Sequence, residues 1–133
     1  MDYKNYFKEI KTIAVVGLSD KPERYSYQVA NYLIKQGFRI IPVNPNINSV
    51  FGLKSHKSLQ EVSEPIDVVD IFRRSEFVAP IVDEAIKIGA KSIWMQEGVS
   101  DEAAAAKARS AGLTVIMNMC MMKSHKQFNS STL

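Results

Sequence analysis

The sequence predicts an α/β fold built on one parallel sheet of five strands. Five short apolar runs, at 13–16, 39–43, 67–72, 91–95 and 113–117, alternate with stretches of helical periodicity. The first of these, Ile13-Ala14-Val15-Val16, is continuous rather than alternating, as a strand covered on both faces requires. Three of the intervening stretches stop at a glycine, Gly37, Gly89 or Gly112, the residue that most readily takes the left-handed C-cap conformation.

Each element has its own signal. Tyr3, Tyr6, Phe7 and Ile10 recur at helical spacing, which predicts a leader helix over 2–10 that packs on the sheet. A helix over 26–36 presents Val29, Ala30, Leu33 and Ile34. The second strand carries Pro42, which donates no ladder hydrogen bond, so this strand is not fully paired on both sides at that point. Asn44-Pro45-Asn46-Ile47-Asn48 reads as a loop, 50–55 as irregular chain turning at Gly52, and Ser58 as the cap of a short helix through Val62. Ser75 is the expected N-cap of a helix over 76–88 with Phe77, Ile81, Ala85 and Ile88 inward; Ser100 is the expected cap of a helix over 101–111. A last short helix covers 119–128, and the polar tail 129–133 is expected to fray. Right-handed crossovers then make a Rossmann-like three-layer αβα sandwich with strand order 3-2-1-4-5. No linker or repeat interrupts it, so 1–133 reads as a single domain.

In such a sheet the ligand crevice lies at the carboxyl ends of the strands, where the strand order reverses. Those ends are 17–24, 43–45, 72–74, 96–98 and 118–120. The first is the most telling. A buried strand runs into Gly17, a small polar and basic turn, and then a helix start. Backbone N–H groups of such a turn and the helix dipole both favour an anion, and Lys21 and Arg24 add two cations.

Charge narrows the choice of ligand. The net charge is +3, and residues 24–60 contain Arg24, Lys35, Arg39, Lys54 and Lys57 with no acid. An NAD site wants G-x-G-x-x-G and a carboxylate after the second strand. Here Gly17 is followed by Ser19 and Pro22, and no acid occurs between Arg24 and Gln60. A nucleotide with an extra phosphate on its ribose fits better: NADP with a 2′-phosphate, or coenzyme A with a 3′-phosphate. No dense basic stripe with interleaved aromatics marks a nucleic-acid surface. No apolar run approaches the roughly 20 residues of a membrane span. The single cysteine, Cys120, fits a reducing cytoplasm.

The runs Val16-Gly17-Leu18-Ser19-Asp20-Lys21-Pro22, Ile41-Pro42-Val43-Asn44-Pro45, Val69-Asp70-Ile71-Phe72-Arg73-Arg74-Ser75-Glu76 and Trp94-Met95-Gln96-Glu97-Gly98 resemble those of the small stand-alone CoA-binding proteins. That family is similar to the CoA-binding domain of the succinyl-CoA synthetase α subunit. The resemblance runs from Lys11 to His125 and implies a Rossmann-like domain that binds coenzyme A or an acyl-CoA. It places Gly17, Leu18, Ser19 and Lys21 in a phosphate loop, with Arg24 and Ser26 just after it. Val43, Asn44 and Pro45 fall beside the adenosine, Phe72 and Arg73 on the third strand, and Gln96 and Gly98 on the fourth-strand turn. Physical logic agrees: loop amides and Lys21 hold the pyrophosphate, Arg24 or Arg39 meets the 3′-phosphate, and Val43, Pro45 and Phe72 form an apolar wall. Arg73 is expected inside and Arg74 in a surface ion pair, because successive strand residues face opposite ways.

The chain departs from the pattern in two places. The synthetase carries its phosphorylated histidine in a second domain without counterpart in this sequence, so its reaction is not implied. The family's Asp-Arg-Cys-Pro run reads Asn118-Met119-Cys120-Met121 here, followed by His125. Cys120 reads as a buried apolar residue, with a mixed disulfide to the CoA thiol as the alternative. A Cys120–His125 nucleophilic pair lacks an orienting group, and Cys120, His56 and His125 are too few for zinc. No catalytic or metal-ligating residue is therefore assigned. The expected partner is a small nucleotide ligand, with no nucleic acid and no membrane; the sequence fixes no oligomeric state. Two other readings stay open: an NADP-using or nucleotide-dependent enzyme acting with a partner, and an interaction module in which the loop is structural.

Overall fold

A computed structural model describes residues 1–130. The leader helix α1 (Tyr3–Glu9) is capped by Asp2, whose carboxylate accepts from Asn5 N at 3.1 Å. Tyr3, Tyr6 and Phe7 lie 5.8–6.3 Å, ring to ring, from Trp94, so α1 does pack on the sheet. Strand β1 (Thr12–Val16) follows, then helix α2 (Tyr25–Lys35) and strand β2 (Arg39–Val43). Strands β3 (Ser49–Val50) and β4 (Leu53–Lys54) form a small antiparallel hairpin where irregular chain was expected. Its turn, Phe51-Gly52, has positive φ at both residues, the geometry that matches the twist of a two-residue hairpin.

Strands β5 (Val68–Ile71), β6 (Ser92–Met95) and β7 (Thr114–Ile116) complete a five-stranded parallel sheet. The Rossmann-like layering is as the sequence predicts, but the neighbours run β2-β1-β5-β6-β7. The third sheet strand thus lies beside the first, not outside the second as the order 3-2-1-4-5 has it. Pro42 accounts for the difference. It has no N–H for an outer neighbour, so β2 takes the edge. There His56 N donates to Pro42 O at 3.0 Å, and His56 O accepts from Asn44 N at 2.8 Å. The β5 run, fully buried, takes the inner place. The strand order therefore reverses between β1 and β5, which brings Gly17 next to Phe72.

Successive residues face opposite layers. Ala14, Val16, Val69, Ile71, Ile93 and Met95 pack under helices α3 (Val78–Lys87) and α4 (Glu102–Ser110). Ile13, Val15, Val68 and Trp94 pack under α1, α2 and α5 (Met121–Ser130). Trp94 is fully buried, and its indole N–H donates to Met119 O at 2.8 Å.

Several helix ends differ from expectation. Ser75 does not cap α3; a 3-10 turn over Ser75–Phe77 precedes the helix, and Ser75 Oγ accepts from Ser100 N at 3.0 Å. That extra turn rotates α3 so that Val78, Val82 and Ala85 are buried and Phe77 is exposed. Asp101, rather than Ser100, caps α4 by accepting from Ala104 N at 3.0 Å. Ser58 makes no side-chain cap at the 3-10 turn Leu59–Glu61; Glu61 instead accepts from Lys57 N at 3.1 Å. The expected tail falls partly within α5, which runs to Ser130; residues 131–133 lie outside the described residues. No helix among the described residues is long and apolar enough to cross a membrane.

Candidate functional site

Three adjoining depressions run along the carboxyl edge of the sheet. The largest, about 630 Å³, lies over the turn between β1 and α2 and is lined by Gly17, Ser19, Lys21, Arg24, Tyr25 and Phe72, among others. A second, about 450 Å³, shares Gly17 and Asn44 with it and extends past Val43 and Pro45 to Lys57, Leu59 and Ile81. A third, about 300 Å³, lies on the other side of Phe72 and is walled by Tyr25, Gln96, Glu97, Gly98 and Val99.

The loop after β1 is held by its own polar groups. Ser19 N donates to Ser26 Oγ at 3.0 Å, and Lys21 N to Ser19 Oγ at 3.1 Å. Gly17 N donates to Val43 O at 2.9 Å and extends the β1–β2 ladder by one rung. Arg24 is the N-cap of α2 but its side chain makes no cap bond. The first-turn amides of α2 therefore keep their donors for an anion. Lys21 and Arg24 are exposed and form no ion pair among the described residues. Asp20 lines the same depression and offsets one of these charges.

The predicted residues divide by what their side chains do. Gly17, Ser19, Lys21, Arg24, Val43, Pro45, Phe72 and Arg73 line the crevice. Ser26 also lines it, with its hydroxyl already accepting from the loop. Leu18 is fully buried in the core; only its carbonyl faces the loop network. Asn44 holds two loops together: Nδ2 donates to Leu18 O at 2.9 Å, and Oδ1 accepts from Asn46 N at 2.9 Å. Arg73 is exposed yet lines two of the depressions, with its guanidinium 4.5 Å from the Phe77 ring centroid. Arg74 pairs with Glu76 at 3.6 Å on the surface.

Gln96 turns away from the crevice. Its Nε2 donates to Asp70 Oδ1 at 2.5 Å within the sheet. Gly98 N donates to Asn118 Oδ1 at 2.7 Å, which ties the turn after β6 to the end of β7.

Arg39 is not at the site. It stands at the amino end of β2 and makes a two-point pair with Glu64 at 2.7 and 2.8 Å, which raises the guanidinium and lowers the Glu64 carboxyl. Lys57 takes the place expected of Arg39, facing the same depression as Val43 and Pro45. Sequence reasoning counted Lys57 in the acid-free run yet assigned it no role. Its position depends on His56 docking on β2, a long-range pairing that no local pattern shows. Tyr25, also missed, lies between two of the depressions and donates from its hydroxyl to Cys120 Sγ at 2.6 Å. Cys120 is 3% exposed, His125 donates to or accepts from Tyr32, and the two are not paired with each other. Among the described residues no group of three His, Cys, Asp or Glu is placed to hold a metal ion.

The carboxyl edge of this Rossmann-like sheet thus brings together the uncapped first turn of α2 and cations that form no ion pair among the described residues. The chain belongs to the CoA binding domain family, whose model matches residues 11–126. It is 40% identical over 124 residues to the uncharacterised protein YneT of Bacillus subtilis, covering 93% of this chain and 92% of that one. A solved structure from Pyrococcus horikoshii superposes with a TM-score of 0.93 at 38% identity, over 96% of this chain and 90% of that one. The α subunit of ADP-forming acetate–CoA ligase II from Pyrococcus furiosus is 28% identical over 96% of this chain. The chain spans only 31% of that subunit.

Proposed function

We propose that this chain binds coenzyme A or an acyl-CoA in the crevice between β1, β2 and β5, as a binding domain without a reaction of its own. The observation that carries the reading is the junction at Gly17. There the uncapped first turn of α2, with Lys21 and Arg24 beside it, meets the apolar wall of Val43, Pro45 and Leu59 with Lys57. A pyrophosphate fits the first half, because backbone donors and cations converge on it. Adenosine fits the second, with Lys57 beside it for a ribose 3′-phosphate. The pantetheine arm then runs past Phe72 toward the Gln96–Val99 turn. The similarity to a ligase subunit supports the ligand class; the ligase reaction is not carried over, because most of that subunit has no counterpart here. The setting that suits such a ligand is the cytoplasm.

The test is a thermal-unfolding panel with coenzyme A, acetyl-CoA, dephospho-CoA, NADP and NAD. Coenzyme A at a hundredfold excess over its Kd stabilises the fold by about 2.7 kcal/mol. Dephospho-CoA gives a smaller shift and NAD none. A shift with NADP and none with coenzyme A defeats the reading.

A further inference from the structure

Asp70 and Gln96 form a buried polar pair that the proposed binding role leaves without an explanation. Asp70 sits in β5 between Val15 and Trp94 of the neighbouring strands and is fully buried. Gln96, just past β6, is 2% exposed. Gln96 Nε2 donates to Asp70 Oδ1 at 2.5 Å. The remaining oxygen of each group, Asp70 Oδ2 and Gln96 Oε1, is buried without any hydrogen-bond partner. Two bare acceptors on groups already joined by one bond are costly as they stand, because a buried unsatisfied oxygen loses its full solvation. A carboxylate has no proton to offer, whereas a carboxylic acid has one. A single proton placed on Oδ2 can satisfy both oxygens at once.

We propose that Asp70 is protonated in the folded protein and closes a two-hydrogen-bond ring with Gln96, and that this ring positions the turn at the far end of the crevice. Gln96 Nε2–H donates to Asp70 Oδ1, and Asp70 Oδ2–H donates to Gln96 Oε1. Gln96 begins the turn that walls the smallest depression: its carbonyl accepts from Val99 N at 2.9 Å, and its own N–H reaches Ile71 O at 3.4 Å. Loss of the Asp70 proton to solvent leaves a buried charge and two bare acceptors, Oδ2 and Gln96 Oε1, which opens the ring and loosens the 96–99 turn. Asp70 is thus a positioning residue that acts through Gln96.

The surroundings favour the neutral acid. Burial pushes the Asp70 carboxyl up to about 7, against the smaller opposing pull of the Gln96 amide. Asp70 shares the sheet face covered by α1, α2 and α5. The titratable groups packed on that side include Tyr3 and Tyr6 from α1, Tyr25, Tyr27 and Tyr32 from α2, and Cys120 and His125 at α5. The Tyr6 phenol bonds Ser92 at 2.7 Å and is itself pushed up by burial, with the Asp70 charge adding to the effect. Of the cations near this turn, Lys123 of α5 is paired with Glu97 at 2.9 Å and Arg74 with Glu76 at 3.6 Å, while Arg73 stacks on Phe77. Among the described residues no cation bonds Asp70.

The test is a carbon and nitrogen NMR titration of the ligand-free protein from pH 4.5 to 9. The Asp70 carboxyl carbon, the Gln96 side-chain amide and the backbone amides of 96–99 are expected to move with one shared midpoint near neutrality. Asp70→Asn keeps both ring bonds through its own amide, so its turn signals stay at the wild-type acidic positions throughout. Gln96→Leu gives the wild-type alkaline turn signals at every pH. An Asp70 carboxyl that titrates in the ordinary carboxylate range overturns the proposal. So does a shared carboxyl shift with an unmoved Gln96 amide, the result expected of a bridging water. A coenzyme A titration adds an arm that rests on the proposed binding role. The ratio of wild-type to Asp70→Asn Kd is expected to rise several-fold from pH 6 to pH 8.5, and a constant ratio removes the link to the crevice. Absence of coenzyme A binding at every pH defeats the binding role while leaving the NMR result intact.

Discussion

A side-chain carbon on Gly17 would land on the carbonyl oxygen of Phe72. Gly17 has φ +88°, and the nearest atoms to a Cβ built there are Phe72 O and C, then Arg73 Cδ. Backbone on the opposite side cannot swing away as a side-chain end can. The two chains approach this closely because β5 is the direct neighbour of β1, with Phe72 N donating to Val16 O at 2.8 Å. Gly17→Ala therefore has to pry apart the two strands that frame the crevice. Gly37 supplies the comparison: its φ is +95° but a Cβ there meets nothing within 4 Å. Gly37→Ala is expected to cost about 1 kcal/mol from the left-handed backbone alone. Gly17→Ala should cost at least about 2 kcal/mol more and abolish coenzyme A binding. Urea unfolding of both variants measures the difference; equal costs would mean that the close approach is relieved without consequence.

Asn44 joins the loop after β2 to the loop after β1 through its donor to Leu18 O. Its main-chain N–H is also committed, to His56 O at 2.8 Å and Ser55 Oγ at 3.1 Å. The residue is thus a brace between the two halves of the crevice. Asn44→Ala loses both side-chain bonds and should cost roughly 1–3 kcal/mol of stability, with a parallel loss of coenzyme A affinity. Asn44→Asp keeps the acceptor for Asn46 N but places a carboxylate against the Leu18 carbonyl, beside the phosphate loop. It should weaken coenzyme A more than Asn44→Ala does, which calorimetric titration of the pair will show.

The residues that were legible in the sequence are those whose role is local. The apolar runs, the glycine stops, the turn from Gly17 to Arg24 and the surface pair of Arg74 with Glu76 all follow from short-range patterns. What failed was long-range. Pro42 already argued for a strand with one unpaired side, and the order 3-2-1-4-5 nonetheless put that strand in the interior. The edge position follows once the missing N–H is weighed above the commoner topology. Arg39 was grouped with the site by charge alone, although it begins β2 and Val43 ends it; five residues of extended chain separate the two ends of a sheet by most of its height. The helix start near Ser100 failed because its neighbour Asp101 also caps well, and the one near Ser75 because its hydroxyl is taken by Ser100 N while a 3-10 turn delays the helix. Gln96 was placed at the site by the family resemblance of the Trp94 to Gly98 run at a strand end. That it turns inward to Asp70 depends on the burial of both, which periodicity does not reveal.

Lys57 and the loop cations should separate by ligand. Lys57 lies on the Val43 and Pro45 side of Gly17, and Lys21 and Arg24 lie on the other. A charge-assisted hydrogen bond is worth about 1.5–3 kcal/mol, so each lost phosphate contact weakens binding roughly ten- to hundredfold. Lys57→Ala is expected to weaken coenzyme A by this factor and leave dephospho-CoA unchanged. Lys21→Ala and Arg24→Ala are expected to weaken both ligands. All three side chains lack an ion pair among the described residues, so the melting temperature without ligand should hardly move. If Lys57→Ala weakens both ligands equally, the ribose phosphate lies elsewhere.

The stability of the protein should carry the mark of Asp70 in its pH dependence. Burial raises this carboxyl from 3.8 to about 7. Below about pH 4 the folded and unfolded chains both hold the proton, and the group contributes no difference. Between about pH 4 and about pH 7 the folded chain keeps a proton that the unfolded chain has released, so stability falls by about 1.4 kcal/mol per pH unit from this group. Above about pH 7 both states are ionised and the loss levels off, on the order of 4 kcal/mol in total. His125 works in the opposite direction. Burial lowers its imidazole, so its contribution is complete above the ordinary histidine range and is lost as pH falls through that lowered range. The two slopes partly cancel in the wild-type protein near pH 6. Asp70→Asn removes one of them, so its stability should rise with pH through the histidine range and exceed that of the wild type above neutrality. Urea-unfolding free energies of the two proteins at pH 4.5, 6, 7.5 and 8.5 measure this directly. Parallel curves would show that Asp70 is already ionised in the folded chain at acidic pH.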